Sequence, residues 1–204
     1  MITKNIPRAG YTLAKIAVGG VLLAGLGIAA VSYAQSRPLT TVDKIEIDRY
    51  LGVWYEIARK PMYFQKQCDR HVTATYTLNE NGNVDVLNRC LSEDGTVNQV
   101  KGEAFIQNAP FNSKLKVSFL PEVVRWLPVA RGDYWILKID DDYQTVLVGE
   151  PKRKYMWVLS RTPDLNEAKL NEYLQYAQSQ GYNTKDLIRT KQSLKLLKET
   201  EQQF

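Results

Sequence analysis

Gly52-Val53-Trp54-Tyr55, and far along the chain Leu159-Ser160-Arg161-Thr162-Pro163, are the two stretches that decide the fold. Between them lie short runs without a helical period, so the two stretches belong to one β-structure. A Trp near its start and an Arg near its end can meet if the sheet curls round and closes on itself. A guanidinium over an indole face contributes about 0.5–2 kcal/mol. We therefore predict a structural latch formed by Gly52, Trp54 and Arg161.

The interval between the two stretches contains eight runs in which apolar and polar residues alternate, separated by short turns. Such alternation predicts strands with one buried face. The fold class that we predict is all-β, an eight-stranded up-and-down antiparallel β-barrel whose interior is able to hold one small ligand. The predicted strands are Trp54–Lys60, His71–Leu78, Val84–Leu91, Val97–Gln107, Lys114–Phe119, Tyr134–Ile139, Gln144–Gly149 and Tyr155–Ser160.

Helical patterns flank these strands. Residues 48–52 predict a short helical turn before the first strand, and Asp164 is placed to cap a longer C-terminal helix that ends at Gly181. Residues 186–190 predict a short edge strand, and the polar residues 191–204 predict a tail of frayed helix or disorder. The stripe that we expect to pack this helix on the outside of the barrel comprises Leu165, Ala168, Leu170, Tyr173, Leu174 and Ala177.

The N-terminal 34 residues predict an export signal. Lys4, Arg8 and Lys15 precede an uncharged stretch, and Ser32 and Ala34 are small residues suited to a cleavage site after Ala34. The alternative is an uncleaved membrane anchor, since residues 16–36 carry no charge and are just long enough to cross a bilayer. We therefore divide the chain into a signal peptide or anchor (1–34), the barrel domain with its helix (35–190) and the tail (191–204). In either case we expect a protein of the periplasm or cell envelope.

Leu23-Ala24-Gly25 is similar to the start of a bacterial lipoprotein box, but Leu26 occupies the position of the lipidated cysteine. Diacylation at that point is therefore excluded. The net charge of +5 falls to +2 without the three N-terminal bases, because 24 Lys and Arg then face 22 Asp and Glu. That balance offers no basic surface for nucleic acid. Lys152-Arg153-Lys154 predicts a solvated turn between strands.

The predicted inward face is apolar and aromatic with a few polar groups. Such a lining is typical of a ligand cavity, and the alternative is a solid core. Asn88 and Glu56 favour the cavity, because a dry core does not tolerate unpaired polar groups. The candidate ligand-binding residues are Glu56, Val72, Ala74, Tyr76, Asn88, Val117, Phe119, Tyr134, Ile136, Tyr155 and Trp157, and Val86 lies on the same face.

The connection over residues 120–132 is unusually apolar for a loop, with Val123, Val124, Trp126, Leu127 and Val129. Since loops are normally polar, we interpret it as a flap, a partner surface or a point that dips into lipid. The alternative is a hydrophobic plug over the barrel end.

Catalytic and metal chemistry find little support. The single histidine, His71, falls on the predicted solvent face, and we expect no Ser-His-Asp arrangement, no metal site and no cofactor. An enzyme on the same scaffold would need a reactive group in the barrel, for which a free cysteine is the candidate. In an oxidising compartment Cys68 and Cys90 are expected to form a disulfide. A simple hairpin about Asn81-Gly82 places Cys68 opposite position 95, so the bridge requires Cys68 to precede its strand.

The quoted motifs resemble those of the lipocalin family. Gly52-Val53-Trp54-Tyr55 resembles the first lipocalin motif, Gly132-Asp133-Tyr134 the second, and Arg161 with its neighbours the third. Runs such as WYEIARKP and YMWVLSRTP are similar to the bacterial lipocalin and apolipoprotein D branch, over about residues 42–190. The resemblance implies a calyx with Trp54 under Arg161 at its closed end. It also implies fatty-acid or lysophospholipid ligands, contacted by Tyr76, Phe119, Tyr134 and Trp157, and a carrier without enzymatic activity.

Overall fold

The computed structural model describes residues 38–125, 127 and 131–192. The predicted export segment, the tail beyond Gln192, Trp126 and Val129 lie outside these residues. The strands are β1 (Gly52–Arg59), β2 (Arg70–Leu78), β3 (Val84–Leu91), β4 (Val97–Ile106), β5 (Lys114–Ser118), β6 (Gly132–Ile139), β7 (Thr145–Gly149), β8 (Met156–Ser160) and β9 (Ile188–Arg189). The helices are α1 (Ile47–Tyr50), α2 (Glu122–Arg125) and α3 (Glu167–Ser179), with a 3₁₀ turn at Tyr63–Gln65.

The strands form one antiparallel sheet that closes on itself. Each strand from β1 to β7 pairs with the next along the chain, β8 pairs back with β1, and β9 adds to the outer part of β1. This confirms the predicted eight-stranded barrel. The two-residue strand β9 lies within the edge strand predicted over residues 186–190.

Side chains from alternate positions form two separate cores. The inner core fills the base of the barrel around Trp54, Tyr76 and Ile136. The outer core lies between the barrel wall and α3, where Leu170, Tyr173 and Ala177 are buried. Packing of the C-terminal helix on the outside of the barrel is thus as expected, except that Ala168 of the predicted stripe is exposed.

A β-bulge changes the predicted pattern in β1. Its register to β8 shifts between Glu56 and Ala58. As a result Ala58, which strict alternation would place on one face with Trp54 and Glu56, belongs to the outer core. The bulge also turns Arg59 inward, opposite the inward Trp157. An extra residue in one strand reverses the faces of every residue that follows it.

Two further local predictions are wrong. The cap of α3 is Asn166, whose Oδ1 accepts from the Ala168 N–H at 2.8 Å, and not Asp164. His71 is buried and not solvent-facing, because its φ of +52° lies in a register shift of β2 and breaks the alternation there. Burial lowers the pKa of the His71 imidazole, and the nearby Arg70 acts in the same direction. Gly181 ends the helix with a φ of +88°, as its predicted position requires.

The two ends of the barrel differ. At the base, residues 42–51 cross the opening, and Val42 and Ile45 are held there by backbone hydrogen bonds to Ile136 and Phe111. At the other end, which we call the mouth, lie the β1–β2, β3–β4 and β7–β8 loops together with Leu120–Arg125. Among the described residues, no helix has the length and apolar character that a bilayer crossing requires.

Candidate functional site

The base of the barrel is held by Trp54 and Arg161. Trp54 is fully buried and donates from Nε1 to the Tyr50 carbonyl at 2.8 Å. The Arg161 guanidinium lies 3.9 Å from the centre of the Trp54 ring. Arg161 also donates to the carbonyls of Arg49, Leu51 and Val53 at 2.7–2.9 Å. The arginine therefore fastens the N-terminal crossing to the indole beneath it.

Gly52 belongs to the same arrangement. Its φ of +93° is a conformation that side chains rarely adopt, and a Cβ built there would lie 3.4 Å from Nη1 of Arg161. The glycine thus allows the chain to turn from α1 into β1 directly under the guanidinium.

Three tyrosine hydroxyls meet above this base. Tyr134 Oη is 2.8 Å from Tyr50 Oη and 2.9 Å from Tyr76 Oη. Burial raises the pKa of Tyr76 to about 12 and raises those of Tyr50 and Tyr134 well above the ordinary value, so all three are neutral donors and acceptors at physiological pH. We call this group the tyrosine floor.

The interior beside the tyrosine floor is nearly full. The cavity there measures about 10 Å³, at the lower limit of the space that one water molecule needs. It is lined by Ile47, Tyr50, Leu51, Tyr76, Val84, Ala104, Leu115, Val117, Tyr134 and Ile136. The predicted cavity therefore does not extend through the lower half of the barrel, where the alternative of a solid core describes the structure better.

The upper half of the barrel is open. Val100 pairs with the inward Asn88, and Phe119 lies two residues after the inward Val117, so both side chains point inward. They are nevertheless 43% and 40% exposed. These inward residues are thus accessible from the mouth, and we call the region that they border the cup. Ala74, Asn88, Val117, Tyr134, Tyr155 and Trp157 are half-buried around it.

A buried ion pair lies on the β1 side of this cup. Arg59 Nη1 donates to Glu56 Oε1 at 3.0 Å, and both side chains are less than 5% exposed. Glu56 also accepts from Gln65 Nε2 at 2.7 Å and from the Thr190 hydroxyl. Burial raises the pKa of Glu56, and Arg59 together with these donors opposes that rise. Arg59 Nε and Asn88 Oδ1 are buried without a hydrogen-bond partner among the described residues.

The β1–β2 loop folds over part of the mouth. Gln65 connects the Glu56 carboxylate to the Trp157 indole, whose Nε1 lies 3.4 Å from Gln65 Oε1. Phe64 packs edge-on against Tyr155 at 5.1 Å between ring centres. Cys68 at the end of the loop forms a disulfide with Cys90, which confirms the predicted bridge and its condition that Cys68 precede β2. Neither cysteine is then the free thiol that the enzymatic alternative requires.

The structure brings most of the predicted ligand residues to one interior but at two levels. Tyr76, Val117, Tyr134 and Ile136 line the small lower cavity. Phe119 lies just beyond β5 near the mouth, over Gly102, where an added Cβ would come within 2.6 Å of its ring. Val72 and Glu56 lie near the β1–β2 seam, and Val72 is buried there.

Sequence reasoning missed Tyr50, Arg59, Gln65 and Val100. Val100 alone carried a usable signal, since alternation within β4 places it on one face with Gly102 and Ala104. Within the described residues, no three His, Cys, Asp or Glu side chains are grouped so that they could hold a metal ion.

Comparisons with known proteins agree with this geometry. A family model described as a lipocalin-like domain matches residues 45–192. Temperature-induced lipocalin-1 of Arabidopsis thaliana is 38% identical over 161 residues, covering 78% of this chain and 86% of that protein. Outer membrane lipoprotein Blc of Escherichia coli (strain K12) is 35% identical, covering 84% and 93%. Apolipoprotein D of Mus musculus is 36% identical, covering 74% and 79%.

Among solved structures, insecticyanin from the tobacco hornworm Manduca sexta superimposes with a TM-score of 0.61 at 19% identity, covering 78% of this chain and 87% of that one. That likeness shows the fold. The family model and the relatives, together with the latch at the base of the barrel, show that the chain belongs to the lipocalin family.

Proposed function

We propose that this lipocalin binds a lipophilic ligand in the upper half of its barrel. The observation that carries the proposal is the exposure of inward-facing Val100 and Phe119 above a closed tyrosine floor. Burial of a hydrocarbon chain there contributes about 0.8 kcal/mol per methylene. About fifteen buried methylenes would contribute about 12 kcal/mol, which leaves roughly micromolar affinity after an association cost of about 4 kcal/mol.

A fatty acid or lysophospholipid fits the polar features of the cup. Asn88 Oδ1 is a buried acceptor without a partner among the described residues, so it can accept from a protonated carboxyl group or from the glycerol hydroxyl of a lysophospholipid. Tyr134 contributes a hydroxyl below it. The Glu56 carboxylate is already occupied by three donors, so it shapes the site and need not receive the head group itself. The acyl chain would then contact Trp157, Val117 and Phe119.

Replacing Trp157 by alanine tests this proposal. The half-buried indole faces inward between Tyr134 and Tyr155. Its loss should weaken binding of a fluorescent long-chain fatty acid about tenfold, the equivalent of roughly 1.4 kcal/mol. Trp135→Ala is the matched control, because Trp135 points to the outer face. Fluorescence titration in which both variants bind like the wild type would remove Trp157 from the site, and no binding by the wild type would refute the proposed function.

Export to the cell envelope is part of the proposal. The basic, uncharged and small-residue segments of positions 1–34 support it, as does the similarity to a relative named as an outer membrane lipoprotein. Since Leu26 stands where the lipidated cysteine of such a relative would be expected, the proposal includes no diacyl anchor at that position. The exported protein is either cleaved after Ala34 or tethered to the membrane through residues 16–36. The mass of the protein purified from its own envelope distinguishes the two forms.

A second proposal is that the mouth contacts a membrane. Tyr63 and Val123 are 71% and 79% exposed, and Leu120 and Phe64 beside them are more than 40% exposed. These residues thus place apolar side chains in solvent at one end of the barrel, which supports contact with an apolar surface. Lys66 in the same loop as Tyr63 and Arg125 after Val123 add positive charge suited to anionic lipid.

The double variant Tyr63→Ser/Val123→Ser should lose most of its association with vesicles that contain an anionic lipid, while fatty-acid affinity stays at the wild-type value. Both side chains are largely exposed, so the fold should not change. Leu78→Ser is the control, because Leu78 is 46% exposed but lies at the opposite end of the barrel. Co-sedimentation with vesicles measures the effect. Equal vesicle binding by wild type and double variant would contradict the proposal.

A further inference from the structure

The seam between β1 and β2 contains a segment that belongs to neither strand. Pairing of β1 with β2 extends from Gly52 to Tyr55. Beyond Tyr55, both strands are irregular at the same level, with register shifts between Glu56 and Ala58 and between Arg70 and Thr73. Residues 188–192, which we call the C-terminal strap, lie in the space where the two strands separate.

Backbone hydrogen bonds connect the strap to both sides of the seam. Ala58 and Arg59 of β1 pair with Arg189 and Ile188. The Thr190 N–H donates to the Ile57 carbonyl at 3.0 Å, and the His71 N–H of β2 donates to the Lys191 carbonyl at 2.9 Å. Lys191 and Gln192, predicted to be the beginning of a polar tail, are thus part of the barrel wall.

Two side chains of the strap form further hydrogen bonds to β1 and β2. Gln192 Nε2 donates to the Glu56 carbonyl at 2.8 Å and to the Val72 carbonyl at 3.0 Å, so one amide bridges β1 and β2. The Thr190 hydroxyl donates to the Glu56 carboxylate, which faces the interior beside Arg59. The strap therefore separates solvent from the buried ion pair of the cup.

The strap has the features of a segment that opens locally. Ile188 and Arg189 are exposed, and its paired strand is two residues long. Gln192 Oε1 is buried with no hydrogen-bond partner among the described residues, an arrangement that opposes the closed state. A short segment of this kind opens at lower free energy than the whole fold does.

We propose that the C-terminal strap closes a lateral opening of the cup, through which the ligand passes between β1 and β2. Thr190 and Gln192 are positioning residues that hold the strap through Glu56 and the two carbonyls. The inference rests on the proposed ligand binding. It adds that the ligand enters and leaves through the side of the barrel, between β1 and β2, as well as through the mouth.

Locking the strap tests the inference. Ala58 and Arg189 are antiparallel partners, so the double variant Ala58→Cys/Arg189→Cys is expected to form a second disulfide. If the strap gates exchange, the oxidised variant should bind and release a fluorescent long-chain fatty acid about tenfold more slowly, with an unchanged Kd. Gln192→Ala, which weakens the closure, should accelerate both rates. Stopped-flow fluorescence measures them, and Ala58→Cys/Arg189→Ala is the control that keeps the native disulfide but cannot form the new one.

The outcomes separate the two proposals. Normal binding with exchange rates equal to those of the control, in both the locked variant and Gln192→Ala, would overturn the lateral opening and leave ligand binding intact. A wild-type protein that binds no lipophilic probe would overturn the proposed function and this inference with it. Slower exchange in the locked variant together with faster exchange in Gln192→Ala supports the inference.

Discussion

Replacing Trp54 by alanine is expected to lower the free energy of unfolding by about 3–5 kcal/mol, the usual cost of removing a large aromatic side chain from a core. The indole is fully buried, donates to Tyr50 and lies under Arg161. Since domains of this size are stable by about 5–15 kcal/mol, the variant should lose a large part of its stability. Urea unfolding followed by circular dichroism measures the change.

Trp135→Ala provides the comparison. Trp135 is half-buried on the outer face and contacts Lys114 4.5 Å from its ring centre. Its replacement removes the same number of atoms from a less buried position, and we expect less than half the loss. Equal losses in the two variants would show that the base of the barrel has no special part in stability.

The second large effect is expected at the buried ion pair. Removing one partner leaves a charge in a site that excludes water, at a cost of about 3–5 kcal/mol. Glu56→Leu leaves the Arg59 guanidinium without its carboxylate, and Arg59→Met leaves Glu56 without its cation. The double variant Glu56→Leu/Arg59→Met removes both charges and should be less destabilised than the sum of the single changes. Denaturant unfolding of all four proteins gives the coupling energy.

The pH dependence of Arg59→Met gives an independent check. Burial raises the pKa of Glu56 in the folded protein, and Arg59 opposes that rise. Without Arg59 the folded-state pKa should rise further above its unfolded value. A raised pKa means that the folded state binds the proton more tightly, so the stability of this variant should fall as the pH rises from 5 to 8.

The exposed pair of Arg189 with Glu167 is the control for the unfolding measurements, and its removal should cost about 0–1 kcal/mol. Additive single losses at Glu56 and Arg59 would contradict the coupling.

Much of this barrel could be predicted from alternation alone. Within each strand, alternation decides the face of residues such as Ala74, Tyr76 and Trp157 without knowledge of any partner strand. Alternation fails where a strand contains an extra residue. The bulge after Glu56 has no signal in the sequence, and Arg59 was therefore missed although Glu56 was predicted.

Contacts between segments far apart in the sequence were the other feature that could not be predicted. The tyrosine floor depends on how α1 lies across the base, which brings Tyr50 to Tyr134, and no local pattern specifies that approach. For the same reason the sequence left a ligand cavity and a solid core as alternatives, and it did not indicate that the lower barrel is filled. From its composition, the segment that begins with Lys191 and Gln192 was predicted to be a polar tail. The hydrogen bonds from Gln192 to carbonyls of β1 and β2 show that this residue is part of the barrel wall.

The C-terminal strap has a consequence for the order in which the protein matures. The contact between Gln192 and Glu56 joins residues 136 positions apart, so the wall is incomplete until almost the whole described domain has left the ribosome. Proteins dominated by such non-local contacts fold slowly, on the scale of milliseconds to seconds. The complete wall therefore forms only after synthesis has passed residue 192.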